Sequence, residues 1–400
     1  MNKKDYYNSV TDQVRDLNNL ASVQADLCFD LKTLSSALDA ETAKNMQRVI
    51  ITGCGDSYSA AGAMMPGFKQ LSGLKKCNSP DIMDFCSFYS ESKVLKGFAP
   101  NQVMVVGISF SGGSARVVEA LEKANALGVE SLLITRTRDS KGGHTAKHIF
   151  DVATPPGCNS PGLRSYYASL VGIAALGAYL GLCNGTITEE RFFQVKKSIV
   201  DYTMAFMEKF DEIDDLMFQE ALRMKDLRKF ELIADWNEGY SAQFVEQKII
   251  ECGGMFCSHT TSEEFVHISL MARCPEEYGE IIMINGADLS MSRMKDTING
   301  CLAQQRPTLI VTDVAPEDFD LSVNVFDGTS PYFQQIRGYD TMAERGTPTF
   351  CRIPKAPEQW MSPLVDFLPG SLLAGYQAAV NEIMFFGGRY NFRTQTWNLA

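Results

Sequence analysis

Six residues, Ser109-Phe-Ser-Gly-Gly-Ser114, set three hydroxyls and two glycines between a β-branched run and an amphipathic helix. Hydroxyls donate hydrogen bonds without bulk, glycines let backbone N–H groups approach a ligand, and a helix N-terminus favours negative charge. The combination suits a dianion such as a phosphate group. Gly55-Asp-Ser57 closes an earlier apolar run in a similar turn. Ligands of open α/β sheets bind beyond the C-terminal ends of the strands, so both turns are expected to face one pocket. A Ser/Gly turn that only caps its helix uses the same residues. The loop is neither G-x-x-x-x-G-K-[ST] nor G-x-G-x-x-G, so a dinucleotide cradle is not expected.

A second set lies further along. Glu251 is flanked by Ile249, Ile250 and Cys252. A carboxylate in apolar surroundings can move a proton between adjacent carbons. His267 is one of four histidines and can shuttle a hydroxyl proton near neutral pH. A surface glutamate near a helix end and a histidine that only packs would read the same way.

The elements that position these residues repeat. Ile51-Thr-Gly-Cys-Gly-Asp-Ser-Tyr-Ser-Ala60 returns 182 residues later as Ile233-Ala-Asp-Trp-Asn-Glu-Gly-Tyr-Ser-Ala242, and Leu132–Thr135 returns 177 residues later as Leu309–Thr312. Two order-preserving matches at similar offsets indicate two copies of one α/β unit. Residues 1–46 read as helical. Strands are expected at 48–52, 102–108, 131–135 and 149–152, then at 230–234, 281–284, 308–312 and 322–326. Helices are expected at 57–71, 115–126, 163–182, 189–220, 240–252 and 368–386, with a proline-rich loop over 347–363. The β-α-β order implies doubly wound parallel sheets with right-handed crossovers, a Rossmann-like α/β fold class. The expected divisions are an N-terminal helical segment (1–46), a phosphate-binding unit (47–220), a catalytic unit (221–386) and a tail (387–400).

Composition narrows the class. Apolar residues make up 45% of the 400 and charged residues 21%, an ordinary globular balance. A net charge of −11 argues against a broad nucleic-acid surface, so no nucleic-acid partner is expected. Eleven cysteines without a C-x-x-C pair, and no secretory leader at Met1-Asn-Lys-Lys-Asp, are expected to be reduced thiols in the cytoplasm. Metal-ligand spacing is absent, and no cofactor is expected. Tyr166–Cys183 carries no charge over 18 residues, the low end for a membrane span. A buried central helix fits it better, so no membrane partner is expected.

Gly53-Cys-Gly-Asp-Ser57 followed by Ile108-Ser-Phe-Ser-Gly-Gly-Ser114 resembles the sugar isomerase (SIS) domain, whose members carry G-x-G-x-S and then S-x-S-G-x-T at these places. The resemblance implies that Ser109, Ser111 and Ser114 bind the phosphate of a phosphosugar, with Ser57 and Gly55 nearby. Asn159-Ser-Pro-Gly-Leu-Arg-Ser165 resembles the family's later S-T-K loop, with Ser165 at the Thr. Phe110 and Gly113 stand where glucosamine-6-phosphate synthases carry Gln and Glu. Arg164 and Tyr166 also depart from the pattern and are candidate specificity residues.

Double SIS isomerases and deglycases place a catalytic Glu on a helix and a Glu-x-x-His loop 16 residues on. Here His267 follows Glu251 by 16, and Glu264-Phe-Val-His267 is closer to the deglycase form than to the synthase form. Lys248 matches a lysine of the synthase helix, whereas Ile268-Ser269 replace the family's Gly-Pro. No lysine follows Lys355, and Arg389 and Arg393 occupy the tail instead. The start of the chain has no room for a glutaminase domain, so channelled ammonia is not expected.

The resemblance thus implies an enzyme acting on a 6-phosphorylated fructosamine, with Glu251 and His267 catalytic and Lys248, Glu264, Ser165 and Arg389 lining the site. A phosphosugar aldose–ketose isomerase and an inactive phosphosugar sensor are the alternatives. In relatives the His loop can enter a neighbour's site, which implies a homodimer.

Overall fold

The computed structural model describes residues 2–158, 160–319, 321 and 348–388. The chain forms two compact units. One is residues 16–204; the other joins residues up to Arg15 with those from Ala205 to the end of the described chain. The division expected near residue 220 therefore falls earlier, and the N-terminal segment is shared between units.

The first unit holds a parallel sheet of β1 (Arg48–Gly53), β2 (Val103–Ile108), β3 (Glu130–Thr135) and β4 (His148–Asp151), in that order. Every residue of β1 and β2 is buried. Continuous apolar runs such as Val-Met-Val-Val are what a sheet covered on both faces requires. The helix Leu163–Asn184 is buried on nearly all sides, and 89% of its most apolar window lies inside the protein. Glycines let it approach the helix Asp56–Ser72. A Cβ at Gly181 would lie 2.0 Å from the Leu71 carbonyl oxygen, and one at Gly177 would lie 3.1 Å from Phe68 Cα. By length and composition this helix could cross a bilayer; its apolar surface is instead used for packing inside the unit.

The second unit repeats the plan with β5 (Lys229–Ile233), β6 (Phe256–Thr260), β7 (Tyr278–Ile284), β8 (Thr308–Thr312) and β9 (Thr349–Arg352), ordered β6-β5-β7-β8-β9 and all parallel. The counterpart of β6 in the first unit shrinks to one parallel bridge, Ile50 to Asn78, with Ile51 N–H donating to Asn78 O at 3.1 Å. Asn78 and His259 on β6, which pairs with Leu232, the counterpart of Ile50, are separated by nearly the offset of the sequence repeat.

Several expectations need revision. The helix expected over 189–220 is two, Glu189–Met207 and Phe210–Arg223, broken at Lys209. The last helix, Phe367–Val380, stops six residues early, before Glu382 at φ +55°. Strand β6 was not foreseen, and β9 lies inside the segment expected to be loop. The strand expected at 322–326 lies outside the described residues.

The start of the chain is tied into the second unit. Lys3 Nζ pairs with the buried Asp214 at 2.6 Å, and Tyr376 Oη donates to the other oxygen of Asp214 at 2.6 Å. A Cβ at Gly375 would meet Asn8 Oδ1 at 2.7 Å and Val10 Cβ at 2.9 Å, so the N-terminal segment lies directly on the last helix.

Candidate active site

Strands β1 and β2 are adjacent, with Gly53 opposite Ile108, so the turns that follow them begin side by side. A side chain at Gly53 would place its Cβ 2.7 Å from Ser57 Cβ, which explains the glycine. Gly55 takes φ +55° as the N-cap of the Asp56 helix. Ser114 binds the turns together: its Oγ donates to Cys54 Sγ at 3.3 Å. Burial pushes the Cys54 thiol upward, which keeps it a neutral acceptor.

The serine loop is held by its backbone. Ser109 N–H donates to Ile134 O at 3.1 Å, and Phe110 O accepts from Arg136 N–H at 3.2 Å. Gly112 sits at φ +68°, where a Cβ would lie 2.1 Å from Ser140 Oγ. Ser109 is buried, Ser114 half-buried and Ser111 exposed. Although Ser114 is the N-cap of the helix Ala115–Ala126, its side chain does not cap that helix, and no acidic residue lies in the first turn. The helix thus presents its N-terminal dipole beside three serine hydroxyls, the arrangement that favours an anion.

Ser165 belongs to the same edge. A Cβ at Gly162 would lie 3.2 Å from Asp56 Oδ2 and 2.8 Å from Ser165 Oγ, so the 160–165 turn abuts the Asp56 helix. Ser165 Oγ donates to Gly162 O at 3.0 Å. Arg164 has a different task from the one expected. It is buried, donates to Pro155 O at 2.9 Å and pairs with Asp16 at 2.7 Å, so it locks the preceding loop. Tyr166 is buried as well.

The acid–base candidates occupy the second unit. Glu251 lies in the last turn of the helix Glu238–Gly253, and the fully buried Lys248 donates to Glu251 Oε2 at 2.5 Å. Ile249 and Cys252 are buried but Ile250 is 46% exposed, so the apolar surround is one-sided. His267 ends the short helix Ser262–His267 and is 66% exposed. It pairs with Glu263 at 2.8 Å rather than with Glu264, which is exposed.

The Glu251 helix ends before β6 begins, and the His267 helix starts after β6 has ended; no hydrogen bond or ion pair among the described residues joins Glu251 to His267. The Ile268-Ser269 departure has a structural role. Ser269 Oγ donates to Glu231 at 2.6 Å, and Ser269 O accepts from the buried Arg306 at 2.9 Å, which pins the His267 loop to the sheet. Arg389 lies outside the described residues, as do Arg393 and Asn159.

Sequence reasoning missed Cys54 as the acceptor that joins the two turns, although its place inside Gly53-Cys-Gly55 was visible. It also missed that the second copy of the turn, Asp235-Trp-Asn-Glu-Gly239, carries a carboxylate, Asp235, where the first carries Gly53, beside Glu238 at the position of Asp56.

Residues 93–179 match the SIS domain family. That stretch holds β2, the serine loop and most of the Leu163 helix. A glutamine–fructose-6-phosphate aminotransferase (isomerizing) from Halobacterium salinarum is 24% identical over 192 residues, which is 48% of this chain and 30% of that relative. The match therefore spans less than a third of the relative's length. The C-terminal domain of glucosamine-fructose-6-phosphate aminotransferase from Francisella tularensis has the same fold, with a TM-score of 0.76 over 96% of this chain and 99% of that one, at 14% identity. A protein from Clostridium difficile described as a candidate phosphosugar isomerase gives a TM-score of 0.73 over 100% of both chains, also at 14% identity. The serine loop thus lies in the stretch that matches the SIS domain family, and the chain has the two-sheet α/β fold of both solved structures.

Proposed function

We propose that this chain is a phosphosugar-processing enzyme that cleaves a 6-phosphorylated fructosamine to an aldose 6-phosphate and an amine. The observation that carries the reading is the serine loop at an N-terminus its own N-cap side chain leaves open, in a chain that also presents a Lys248–Glu251 pair. Ser109, Ser111 and Ser114 hold the phosphate, with Ser57, Gly55 and Ser165 at the same edge. Glu251 takes a proton from C1 of the ketoamine and returns it to C2. As the amine N–H proton passes to the C2 oxygen, the C1–N bond becomes an imine and the ketone becomes a C2 hydroxyl; water then adds to C1, releases the amine and leaves the aldehyde there. Lys248 orients the carboxylate, and His267 assists opening of the sugar ring. A second reading, a phosphosugar aldose–ketose isomerase, shares the C1–C2 proton transfer and is favoured by the likeness to the Clostridium difficile protein.

Assays of glucose 6-phosphate release from a panel of fructosamine 6-phosphates test the first reading. Release is expected from wild type, with a loss of about 10²–10⁴-fold in Glu251→Gln. Exchange of the C1 proton in deuterated water without amine release would favour the isomerase. Turnover unchanged in Glu251→Gln would remove that residue from either mechanism.

The working unit is proposed to be a homodimer in which His267 serves the site of a second copy. The exposure of His267, together with Ile268 at 66% and Met271 at 77% beside it, supports this. Mixing Glu251→Gln with His267→Asn subunits is expected to restore activity that neither variant has alone, because one site of each mixed dimer is intact. Mixtures as inactive as their parents would show that both groups act within one chain.

A further inference from the structure

The turn after β5 is the repeat counterpart of the turn after β1; it keeps one carboxylate, Glu238 for Asp56, and gains a second, Asp235 for Gly53. Asp235-Trp-Asn-Glu-Gly239 replaces Gly53-Cys-Gly-Asp-Ser57, and β7 ends in Asn285-Gly-Ala-Asp288 where β2 ends in the serine loop. Some of these groups are fully used. Asp235 accepts from Ser262 N–H at 3.0 Å and Ser262 Oγ at 2.6 Å. Asp288 accepts from Asn285 N–H at 2.8 Å and Gln359 Nε2 at 2.6 Å.

Others are not. Glu238, 1% exposed, accepts from Asn285 Nδ2 at 2.6 Å and Ser362 Oγ at 2.5 Å, both on Oε1. Its Oε2 has no donor. Asn285 Oδ1 has none either, and because its own Nδ2 touches Glu238 it lies within the cluster. Asp366, the N-cap of the last helix, is buried, and neither oxygen has a donor of normal geometry, although the Ser241 hydroxyl and the Phe367 N–H face it. The buried Asn237 amide is unpartnered at both atoms. Asp366 stands close to this group, since Asp366 N–H donates to O of the same Ser362 whose Oγ binds Glu238.

The imbalance is one-sided. Five oxygens lack donors: Glu238 Oε2, Asn285 Oδ1, Asn237 Oδ1 and both of Asp366. Asn237 Nδ2, Ser241 Oγ and the Phe367 N–H could serve them, and together they bring four protons. With both carboxylates ionised an acceptor therefore stays unsatisfied whichever way the side chains rotate, and buried unsatisfied polar groups call for an occupant, a proton or a cation. Among the described residues no lysine or arginine pairs with Glu238 or Asp366. Burial first, and then the neighbouring carboxylates, push both carboxyls upward, Glu238 to about 7, as expected of a site short of positive charge. No cluster of three or more His, Cys, Asp or Glu side chains suited to a metal ion occurs among the described residues, which argues against zinc or a divalent ion.

We propose that this pocket binds one small monovalent cation of ammonium or potassium size, coordinated by Glu238 Oε2, Asn285 Oδ1 and Asp366, with the Asn237 carbonyl completing the shell. The two halves of the repeat thus take opposite charges at equivalent turns, an anion after β1 and β2 and a cation after β5 and β7. The proposal does not depend on the reaction assigned to the chain.

Thermal unfolding of the full chain in choline chloride, with lithium, potassium or ammonium substituted at constant ionic strength, tests it. Potassium or ammonium is expected to raise Tm by roughly 3 °C in a saturable manner, with lithium inert. Ammonium above potassium would assign hydrogen-bond donation as the source of binding, and equal effects would assign size and charge alone. Glu238→Gln and Asp366→Asn are each expected to abolish the increment. Should either variant fail to fold, the ¹⁵N signal of ammonium with wild-type protein provides the second measurement, a potassium-displaceable broadened resonance being expected. Identical midpoints in all salts with a free-ion ammonium signal would overturn the proposal, as would an increment that survives both substitutions.

Discussion

Ser114 separates binding from catalysis at the level of one hydroxyl. Its Oγ can donate to Cys54 or to an anion at the same helix end, but not to both at once. A hydrogen bond to a charged group contributes about 1.5–3 kcal/mol. Ser114→Ala and Ser111→Ala are therefore each expected to raise KM for a phosphorylated substrate by roughly 10–100-fold with kcat largely kept, read by steady-state kinetics. A fall in kcat at unchanged KM would place these serines elsewhere in the mechanism. The residue types of this loop were legible in the sequence because three hydroxyls and two glycines cluster at one strand-to-helix turn. Arg164 was not legible. Its partners Asp16 and Pro155 lie far apart or in irregular backbone, and burial of an arginine leaves no periodic signal.

Helices and strands were legible where their local pattern was strong. The six-residue strands β1 and β2 and the helix Ala115–Ala126 came out within a residue of their observed ends. Strand β6 did not, because Phe-Cys-Ser-His-Thr is short, polar and at a sheet edge, where pairing rather than pattern makes the strand. Strand β9 was hidden among prolines for the same reason. Glycine positions in the Leu163 helix read only as low helix propensity, yet they set how closely that helix packs. At Gly181 a methyl group would fall 2.0 Å from a backbone oxygen, which no rotamer can relieve. Gly181→Ala is expected to destabilise the protein by about 1–3 kcal/mol, seen as a lower denaturant midpoint at unchanged slope. Unaltered stability would mean that the two helices separate freely.

At the scale of the molecule, pH acts through a buried carboxyl in the second sheet. Glu280 is fully buried; burial raises it to about 7, against the Arg306 guanidinium that lowers it and with Glu231 adding to the rise. An unfolded glutamate ionises near its usual value of about 4.3. Between those values the folded chain keeps a proton that the unfolded chain has lost. The stabilisation is therefore complete below about pH 4.3 and is lost as pH rises through about 7, a change on the order of 3 kcal/mol. Wild-type Tm is expected to fall from about pH 4.5 to about pH 7 and to level off above it, and Glu280→Gln to flatten that fall; parallel curves for the two proteins would assign the pH dependence to other groups. The repeat and its parallel topology were legible at this scale, whereas the division of the chain was not, since helical periodicity carries no mark of which sheet a helix serves.

The tether of Lys3 and Asn8 to Asp214 and Gly375 sets an order of events during synthesis. The ribosome makes this segment well ahead of its docking surface, which lies some way further along the chain. At about 5–20 residues per second the segment waits roughly 20–75 s for its partners. Residues 16–204 can close in the meantime. The second unit thus stays incomplete until Gly375 has emerged, and a nascent chain stalled before Gly375 would carry a folded first unit and an undocked N-terminal segment.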